Sequence, residues 1–199
     1  MSTQTRKYEL KARAKGQAET RRRIAAATAE LHEEVGPART TIAEIARRAG
    51  VQRLTVYNNF PEESDLFAAC QAHFLEQNPP PDPSGAFAIT DPSERLQAVL
   101  TELYAWYRRT ERTSANVRRD RASIPPLDAL MAATADVRAA ALADALAAGF
   151  AAGPRPRRTV RAAVALALDF WTWKRLDSEG IGDVAAAGLM TGAVRAAVA

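Results

Sequence analysis

The chain has 199 residues, of which 47% are hydrophobic and 25% charged, a composition typical of a globular protein with one or two domains. Its single cysteine, Cys70, excludes an internal disulfide, and no apolar stretch approaches the ~20 residues that a membrane-spanning helix needs. The charged first residues show no secretion-signal pattern, so we expect a cytoplasmic protein without a membrane partner.

Positive charge is concentrated near the amino terminus. Residues 1–60 hold 12 Lys or Arg against 6 Asp or Glu, whereas the remaining residues have a net charge of −2. This imbalance favours a polyanionic partner such as nucleic acid, although a solvated basic face without a partner would show the same counts. Residues 1–14 lack helical periodicity, which predicts a flexible basic arm that either adds contacts to DNA or has no role.

A first helix is predicted over residues 15–35, where apolar side chains form a stripe at helical spacing. The stripe consists of Ile24, Ala27, Leu31 and Val35. Gly36 ends this helix and Pro37 prevents its continuation. Three arginines at residues 21–23 lie near its start, where the helix dipole disfavours positive charge. A DNA phosphate would compensate for them, and so would solvation.

Two short helices joined by a tight turn are predicted in residues 40–66. Apolar residues recur on one helical face as Ile42, Ile45, Ala46 and Ala49. Thr41 suits the N-cap of this helix, Gly50 suits the left-handed residue that ends it, and a second helix follows over residues 52–59. This pattern favours a helix-turn-helix whose second helix enters the DNA major groove, although an ordinary helical corner would have the same local pattern.

Many positions between residues 20 and 66 fit one known pattern without a gap. They are Ile24, Ala27, Leu31, Gly36, Thr41, Ile42, Ile45, Ala46, the turn Ala49-Gly50-Val51, Thr55, Tyr57, Phe60 and Leu66. In this register the segment resembles the DNA-binding domain of the TetR family of bacterial transcriptional regulators. The resemblance implies an all-α fold of about nine helices. Residues 1–60 would form a basic arm and helix-turn-helix domain, and residues 61–199 a helical ligand-binding and dimerisation domain.

The resemblance also implies a function and a set of contacts. The protein would be a ligand-responsive homodimer, a repressor that leaves a palindromic double-stranded DNA operator when a small molecule binds. The residues expected to contact DNA are Thr41, Gln52, Arg53, Leu54, Thr55, Tyr57, Asn58 and Asn59. Val56 and Phe60 are expected in the core of the small domain instead.

Three residues depart from the pattern usual in the family. His32 replaces a packing Phe, which places a polar ring edge in the core. Gln52 replaces the Ser or Thr that caps the second helix, so that a bond worth ~1 kcal/mol is missing. Glu63 replaces a Lys that usually touches phosphate, and its charge would repel DNA. Gln52 and Arg53 suit hydrogen bonds to adenine and guanine, respectively.

The remaining sequence shows no strand pattern, and further helices are predicted from caps and breakers. They cover residues 62–77, 91–111, 113–124, 127–152, 159–179 and 183–198. Gly153 and Pro154 would end the fourth of these helices, and a proline-rich loop follows the first. The simplest interpretation of Cys70 is a small buried residue, and the alternative is a redox-sensing thiol.

The second domain would hold the effector and the dimer interface. Candidate pocket walls, each of which could equally be plain core, are Phe74, Leu100, Leu103, Tyr107, Met131 and Trp171. Candidate dimer-interface residues are Phe170, Trp173, Val184 and Leu189. The pocket composition suits an apolar or aromatic effector, and the interface residues would alternatively pack only within one subunit.

Two other classes of function are alternatives to a DNA-binding regulator. The first is a helical ligand- or protein-binding module with weakened or lost DNA recognition, favoured by Glu63 and the acidic residues beside it. The second is an enzyme, which lacks support because no metal-ligand spacing, phosphate-binding glycine loop or nucleophile–base pair is present. We therefore expect no catalytic residue, metal or cofactor.

Overall fold

A computed structural model describes residues 3–150 and 157–198, with side chains from residue 14 onward. This part of the chain contains ten α-helices and no strand, which confirms the all-α prediction with one helix more than expected. The helices are α1 (Thr3–Glu34), α2 (Ile42–Ala49), α3 (Arg53–Asn59), α4 (Glu63–Gln77), α5 (Pro92–Asp120), α6 (Pro125–Met131), α7 (Val137–Ala148), α8 (Arg157–Leu168), α9 (Phe170–Ser178) and α10 (Asp183–Val198).

The amino-terminal segment differs from its prediction. Helix α1 begins at Thr3, so the backbone of residues 3–14 is helical rather than a flexible arm. The basic side chains of residues 1–13 lie outside those that the structure describes. The long α1 carries few apolar residues before Ile24, which explains why hydrophobic periodicity alone placed its start near residue 15.

Helix α5 is continuous where two helices were predicted. The predicted boundary fell at residues 111–113. Close to it, the Thr110 hydroxyl donates to the Trp106 carbonyl at 2.9 Å, a bond compatible with an uninterrupted helix. The predicted helix over residues 127–152 is instead α6 and α7, joined by a π-helical turn at Ala132–Asp136. Its predicted end at Gly153 and Pro154 falls outside the described residues.

The predicted helix over residues 159–179 is divided at Asp169. This residue is extended (φ −75°, ψ 136°), and its carboxylate accepts the Thr172 backbone N–H at 3.0 Å as the N-cap of α9. The break frees the carbonyls of Ala167 and Leu168, which accept the hydroxyls of Tyr104 and Tyr107 at 2.7 and 2.8 Å. Two buried tyrosines on α5 thus satisfy the backbone groups that the break exposes.

The chain divides into two compact units. We call Met1–Pro79 with Ala115–Leu130 the amino-terminal unit, and Pro80–Ser114 with Met131–Ala199 the carboxy-terminal unit. The last turns of α5 therefore belong to the amino-terminal unit, which sequence patterns did not predict. In that unit one core cluster joins α1, α2, α3 and α4: Ile24, Ala27, Leu31, Ile45, Ala46, Ala49, Val56, Phe60 and Leu66.

The carboxy-terminal unit is built around α5 and α8 to α10. Its centre is an aromatic cluster in which the rings of Tyr107 and Phe170 are nearly perpendicular, 5.3 Å apart between centroids, and the ring of Trp173 lies 5.7 Å from that of Tyr107. Trp173 is also tied by its indole N–H, which donates to Asp183 at 3.0 Å. Among the described residues no single helix is long and apolar enough to span a membrane; only α9 and α10 taken together, bent by 120°, reach that length and composition.

Candidate DNA-binding surface

The turn between α2 and α3 has the geometry that the sequence predicted. Thr41 caps α2, its hydroxyl accepting the Glu44 backbone N–H at 3.2 Å. Gly50 ends α2 in the left-handed region (φ 65°, ψ 40°), a conformation that costs glycine little and other residues more. The Val51 backbone N–H then donates to the Ala46 carbonyl at 2.9 Å, which closes the turn.

Helix α3 has two clearly different faces. Val56 and Phe60, predicted as core, are 0% and 3% exposed. The opposite face is exposed and presents Gln52, Arg53, Leu54, Tyr57 and Asn58. Leu54 is 65% and Tyr57 53% exposed. Thr55 is half-buried at the edge of this face, and Thr41 at the start of α2 is exposed.

Asn59 does not share the exposed face of α3. It is buried, and its side-chain amide donates to the Thr55 carbonyl at 2.8 Å. Its position is explained by helix geometry, because residue 59 lies three positions after the buried Val56 and shares its face. The structure therefore corrects the expectation that Asn59 is available for DNA together with its exposed neighbours.

Gln52 and Glu63, two of the three departures from the family pattern, both have exposed side chains. Gln52 is the N-cap residue of α3, and within the described part of the chain its side chain makes no capping hydrogen bond. Glu62, Glu63 and Asp65 at the start of α4 are all exposed. Their negative charge suits the amino-terminal end of α4 but disfavours an approaching phosphate.

The three arginines of α1 have different surroundings. Arg21 is half-buried, its guanidinium lies 4.1 Å from the centre of the Phe60 ring, and it donates to the backbone carbonyl of Asn59. Arg22 is exposed and pairs with Glu19 at 3.0 Å, and Arg23 is exposed. Arg21 therefore connects α1 to the carboxy-terminal end of α3.

The carboxy-terminal end of α1 is held by residues of α5 that sequence patterns did not single out. The side-chain amide of Asn116 donates to the carbonyls of His32 and Glu33 at 3.0 and 2.8 Å, where a helix end leaves acceptors unpaired. The Asp120 carboxylate accepts the Ala38 backbone N–H at 3.0 Å. Hydrogen bonds to the carboxylate, chiefly from the Arg119 guanidinium and to a smaller extent from the Ala38 N–H, hold the pKa of Asp120 below its usual value. No local signal could find these contacts, because they join residues more than 80 positions apart.

The predicted pocket walls do not share one environment. In the carboxy-terminal unit Leu100, Tyr107 and Met131 are buried, Leu103 is half-buried, and Trp171 is 47% exposed. Phe74 is half-buried in the amino-terminal unit. An open groove of about 450 Å³ on α5 is lined by Glu94, Gln97, Ala98, Thr101 and Glu102 and includes none of them. Among the described residues, no three His, Cys, Asp or Glu side chains are grouped to hold a metal ion.

The predicted dimer-interface residues separate into two pairs. Phe170 and Trp173 are each 1% exposed inside the aromatic cluster of the carboxy-terminal unit, so they are core residues of one subunit. The expectation for them was wrong because a large aromatic residue in a helix has the same sequence signal whether it packs within a chain or between chains. Val184 and Leu189 on α10 are 65% and 51% exposed and remain available to a partner.

Known proteins resemble this chain in two ways, through the sequence of residues 24–70 and through the fold of most of the chain. Residues 24–70 match the family model described as bacterial regulatory proteins, tetR family. The fold is similar to the crystal structure of a TetR transcription regulator from Haloarcula marismortui ATCC 43049, with a TM-score of 0.61 and 17% sequence identity over 91% of this chain and 97% of that one. Among curated proteins none matches the chain.

The matched segment contains α2, α3 and the turn between them, together with parts of α1 and α4 that pack on them. Proteins of this family are transcription regulators rather than enzymes, which agrees with the lack of a predicted catalytic site. Residues 24–70 therefore match the tetR family model in sequence, and the fold of the chain is similar to that of a TetR transcription regulator.

Proposed function

We propose that the protein is a homodimeric repressor that binds a palindromic double-stranded DNA operator and is released from it by a small molecule. The observation that carries this proposal is the exposed face of α3, where Arg53, Leu54, Tyr57 and Asn58 stand on a helix whose other face is anchored in the core. A helix of this kind fits the major groove, and Arg53 at its first turn suits the edge of a guanine.

Tyr57 and Thr41 support this proposal as candidate phosphate contacts. Both are exposed and both carry a hydroxyl, a group that proteins use often to fix their register on the DNA backbone. Leu54 offers an apolar surface to a thymine methyl group. Gln52, with no capping bond to make, has its amide available for a base edge.

Dimerisation is proposed through the carboxy-terminal unit. Leu166 on α8 is 58% exposed, and Val184 and Leu189 on α10 are similarly exposed, so large apolar groups remain uncovered in the single chain. A twofold dimer would cover such residues and would pair two reading helices with the two halves of a palindrome. Residues 1–60 would then act as the DNA-binding part and residues 61–199 as the part that dimerises and senses the effector. Such a protein would act in the cytoplasm, on its operator.

Release by a small molecule is proposed from the same division of roles. An effector would shift DNA affinity only as far as it binds the DNA-free form more tightly than the DNA-bound form. Apolar and aromatic side chains pack around α5 in the carboxy-terminal unit, and we propose an apolar or aromatic effector because a site opened among them would have that character.

Selection of DNA from a random duplex library by the full-length protein tests this proposal. We expect enrichment of a palindrome whose half-sites are spaced by about one helical turn or a multiple of it. Affinity for the selected duplex should fall steeply with salt, by about one log unit per log unit of salt for each phosphate contact. If no sequence is enriched, the proposed function is wrong.

One observation favours a second candidate, a helical module with weakened or lost DNA recognition. The exposed Glu62, Glu63 and Asp65 follow directly on α3 and would lie near any DNA that it approaches. Substitution of Glu63 by Lys separates the two candidates. A regulator already able to select an operator would bind it more tightly after the change, whereas a module without recognition would gain only salt-sensitive binding to any DNA.

A further inference from the structure

We propose that Arg21 is a positioning residue that sets the orientation of the reading helix α3 without touching DNA itself. The inference rests on the proposed DNA-binding function and assigns to Arg21 a role different from that of its basic neighbours. Arg21 lies three positions before Ile24 and seven before Thr28, both buried, so it continues the core-facing stripe of α1. Arg22 and Arg23 lie off this stripe and are exposed.

The contacts of Arg21 converge on the end of α3. Its guanidinium covers the Phe60 ring at 4.1 Å and donates to the carbonyl of Asn59, the last residue of α3. The last carbonyls of a helix have no partner within it and carry partial negative charge, so a guanidinium is a suitable cap. Asn59 in turn donates to Thr55, so Arg21 ends a chain of contacts that runs along the buried side of α3.

Such an external support matters because α3 has only seven residues. A helix this short is not stable alone, and its direction is set by what packs against it. Val56 and Phe60 anchor one face of α3 in the core, but because both lie on that single face, they leave rotation about it less restricted. Arg21 adds a directional contact at the carboxy-terminal end, which limits this rotation of the exposed face. A reading surface needs placement within about half an ångström to keep its base contacts.

The experiment compares Arg21→Met with Arg23→Met, a change of the same charge two residues away on an exposed side chain. Dissociation constants are measured by fluorescence anisotropy for the selected operator and for a scrambled duplex, each over a series of salt concentrations. We expect Arg21→Met to weaken operator binding by roughly tenfold or more, the scale of one lost charge-assisted hydrogen bond, while binding to scrambled DNA and the salt slope match those of Arg23→Met.

Two results would overturn the inference while leaving the proposed function intact. If Arg21→Met and Arg23→Met have the same dissociation constants on both duplexes, Arg21 does not position α3. A salt slope reduced by about one more than in Arg23→Met, with equal weakening on both duplexes, would make Arg21 a phosphate contact instead. A wild-type protein that enriches no sequence would overturn the proposed function itself, and this inference with it.

Arg21→Lys keeps the experiment decisive if Arg21→Met fails to fold. Lysine retains the charge that a phosphate contact requires but lacks the planar fork that stacks on a ring while donating sideways. The inference predicts weakened operator binding by Arg21→Lys, with the salt slope of the wild type. Operator affinity equal to the wild type in a folded Arg21→Lys protein would contradict it.

Discussion

His32 and Cys70 form a buried pair in the amino-terminal unit, with the imidazole Nδ1 3.4 Å from the thiol Sγ. The ring of Phe67 stacks on the imidazole at 5.6 Å between centroids. Burial lowers the pKa of His32 to about 4, against the opposing charge of Asp120, and raises the pKa of Cys70 to about 12. Both groups are therefore neutral at pH 7. A thiol that is buried and protonated is a poor redox sensor, and this supports the simpler interpretation of Cys70.

Stability should fall in mild acid because of His32. Its pKa is about 4 when folded and 6.5 when unfolded, so between these values the unfolded chain binds more protons. The contribution of neutral His32 is fully present above pH 6.5 and is lost as the pH falls toward 4. We expect the free energy of unfolding to drop by about 2 kcal/mol between pH 7.5 and pH 5 from this group, measured by urea denaturation.

Substitution of His32 by Phe, the residue that the resemblance implies at this position, isolates that contribution. The difference between the two pH values should shrink by about 2 kcal/mol in His32→Phe. The control is His73→Gln, which removes the other histidine and should leave the His32 contribution in place. An equal pH response in wild type and His32→Phe would show that the buried imidazole does not titrate as described.

The Asp120 carboxylate should be needed for the stability of the amino-terminal unit. Substitution by Ala leaves the Ala38 backbone N–H without its charged acceptor, and we expect a loss of about 2 kcal/mol in the free energy of unfolding. Asp128→Ala is the matched control, because its partner Arg121 pairs with it at an exposed position and such pairs contribute less than about 1 kcal/mol. Similar losses for both variants would contradict the assigned role.

The caps of α2 and α3 should respond in opposite directions. Thr41→Ala removes the hydroxyl that accepts the Glu44 N–H and should lower stability by about 1 kcal/mol. Gln52→Ser introduces a capping oxygen where none acts and should raise stability by several tenths of a kcal/mol or more. Thermal unfolding of both variants checks the pair of predictions, and a destabilised Gln52→Ser would mean that the glutamine stabilises α3 in another way.

Tyr104 should stabilise the break between α8 and α9 through its hydroxyl. Tyr104→Phe keeps the packing but leaves the buried Ala167 carbonyl unpaired, at a cost of about 1–3 kcal/mol in the free energy of unfolding. Tyr57→Phe removes the same atom from an exposed ring and should change stability by less than about 0.5 kcal/mol. Chemical denaturation of the two variants side by side gives the comparison, and equal effects would contradict the stabilising role of the Tyr104 hydroxyl.

Local patterns predicted the helix-turn-helix of the amino-terminal unit well. Thr41, Gly50 and the spacing from Ile42 to Ala49 determine α2 and its turn through bonds between residues at most five apart, so the sequence contains the needed information. Asn59 was misplaced because the list of DNA contacts followed the family pattern and did not follow the helical face on which the residue lies.

Long-range packing could not be predicted in the same way. The buried positions of Phe170 and Trp173 depend on Tyr107, more than 60 residues earlier in the chain. The break at Asp169 had a weak signal, a lone carboxylate between apolar residues, but its stability depends on two distant tyrosine hydroxyls. The continuity of α5 could likewise not be predicted, because its polar residues form hydrogen bonds either to their own helix or to α1.

The affinity ratio of Arg53→Ala for the selected operator against a scrambled duplex tests the central claim most directly, namely that α3 reads DNA sequence. Arg53 is exposed at the first turn of α3, where a bidentate contact to guanine is worth about 1–3 kcal/mol of discrimination. We predict that Arg53→Ala lowers affinity for the operator about tenfold or more, while its affinity for the scrambled duplex changes little by comparison. Undiminished discrimination between the two duplexes would contradict it.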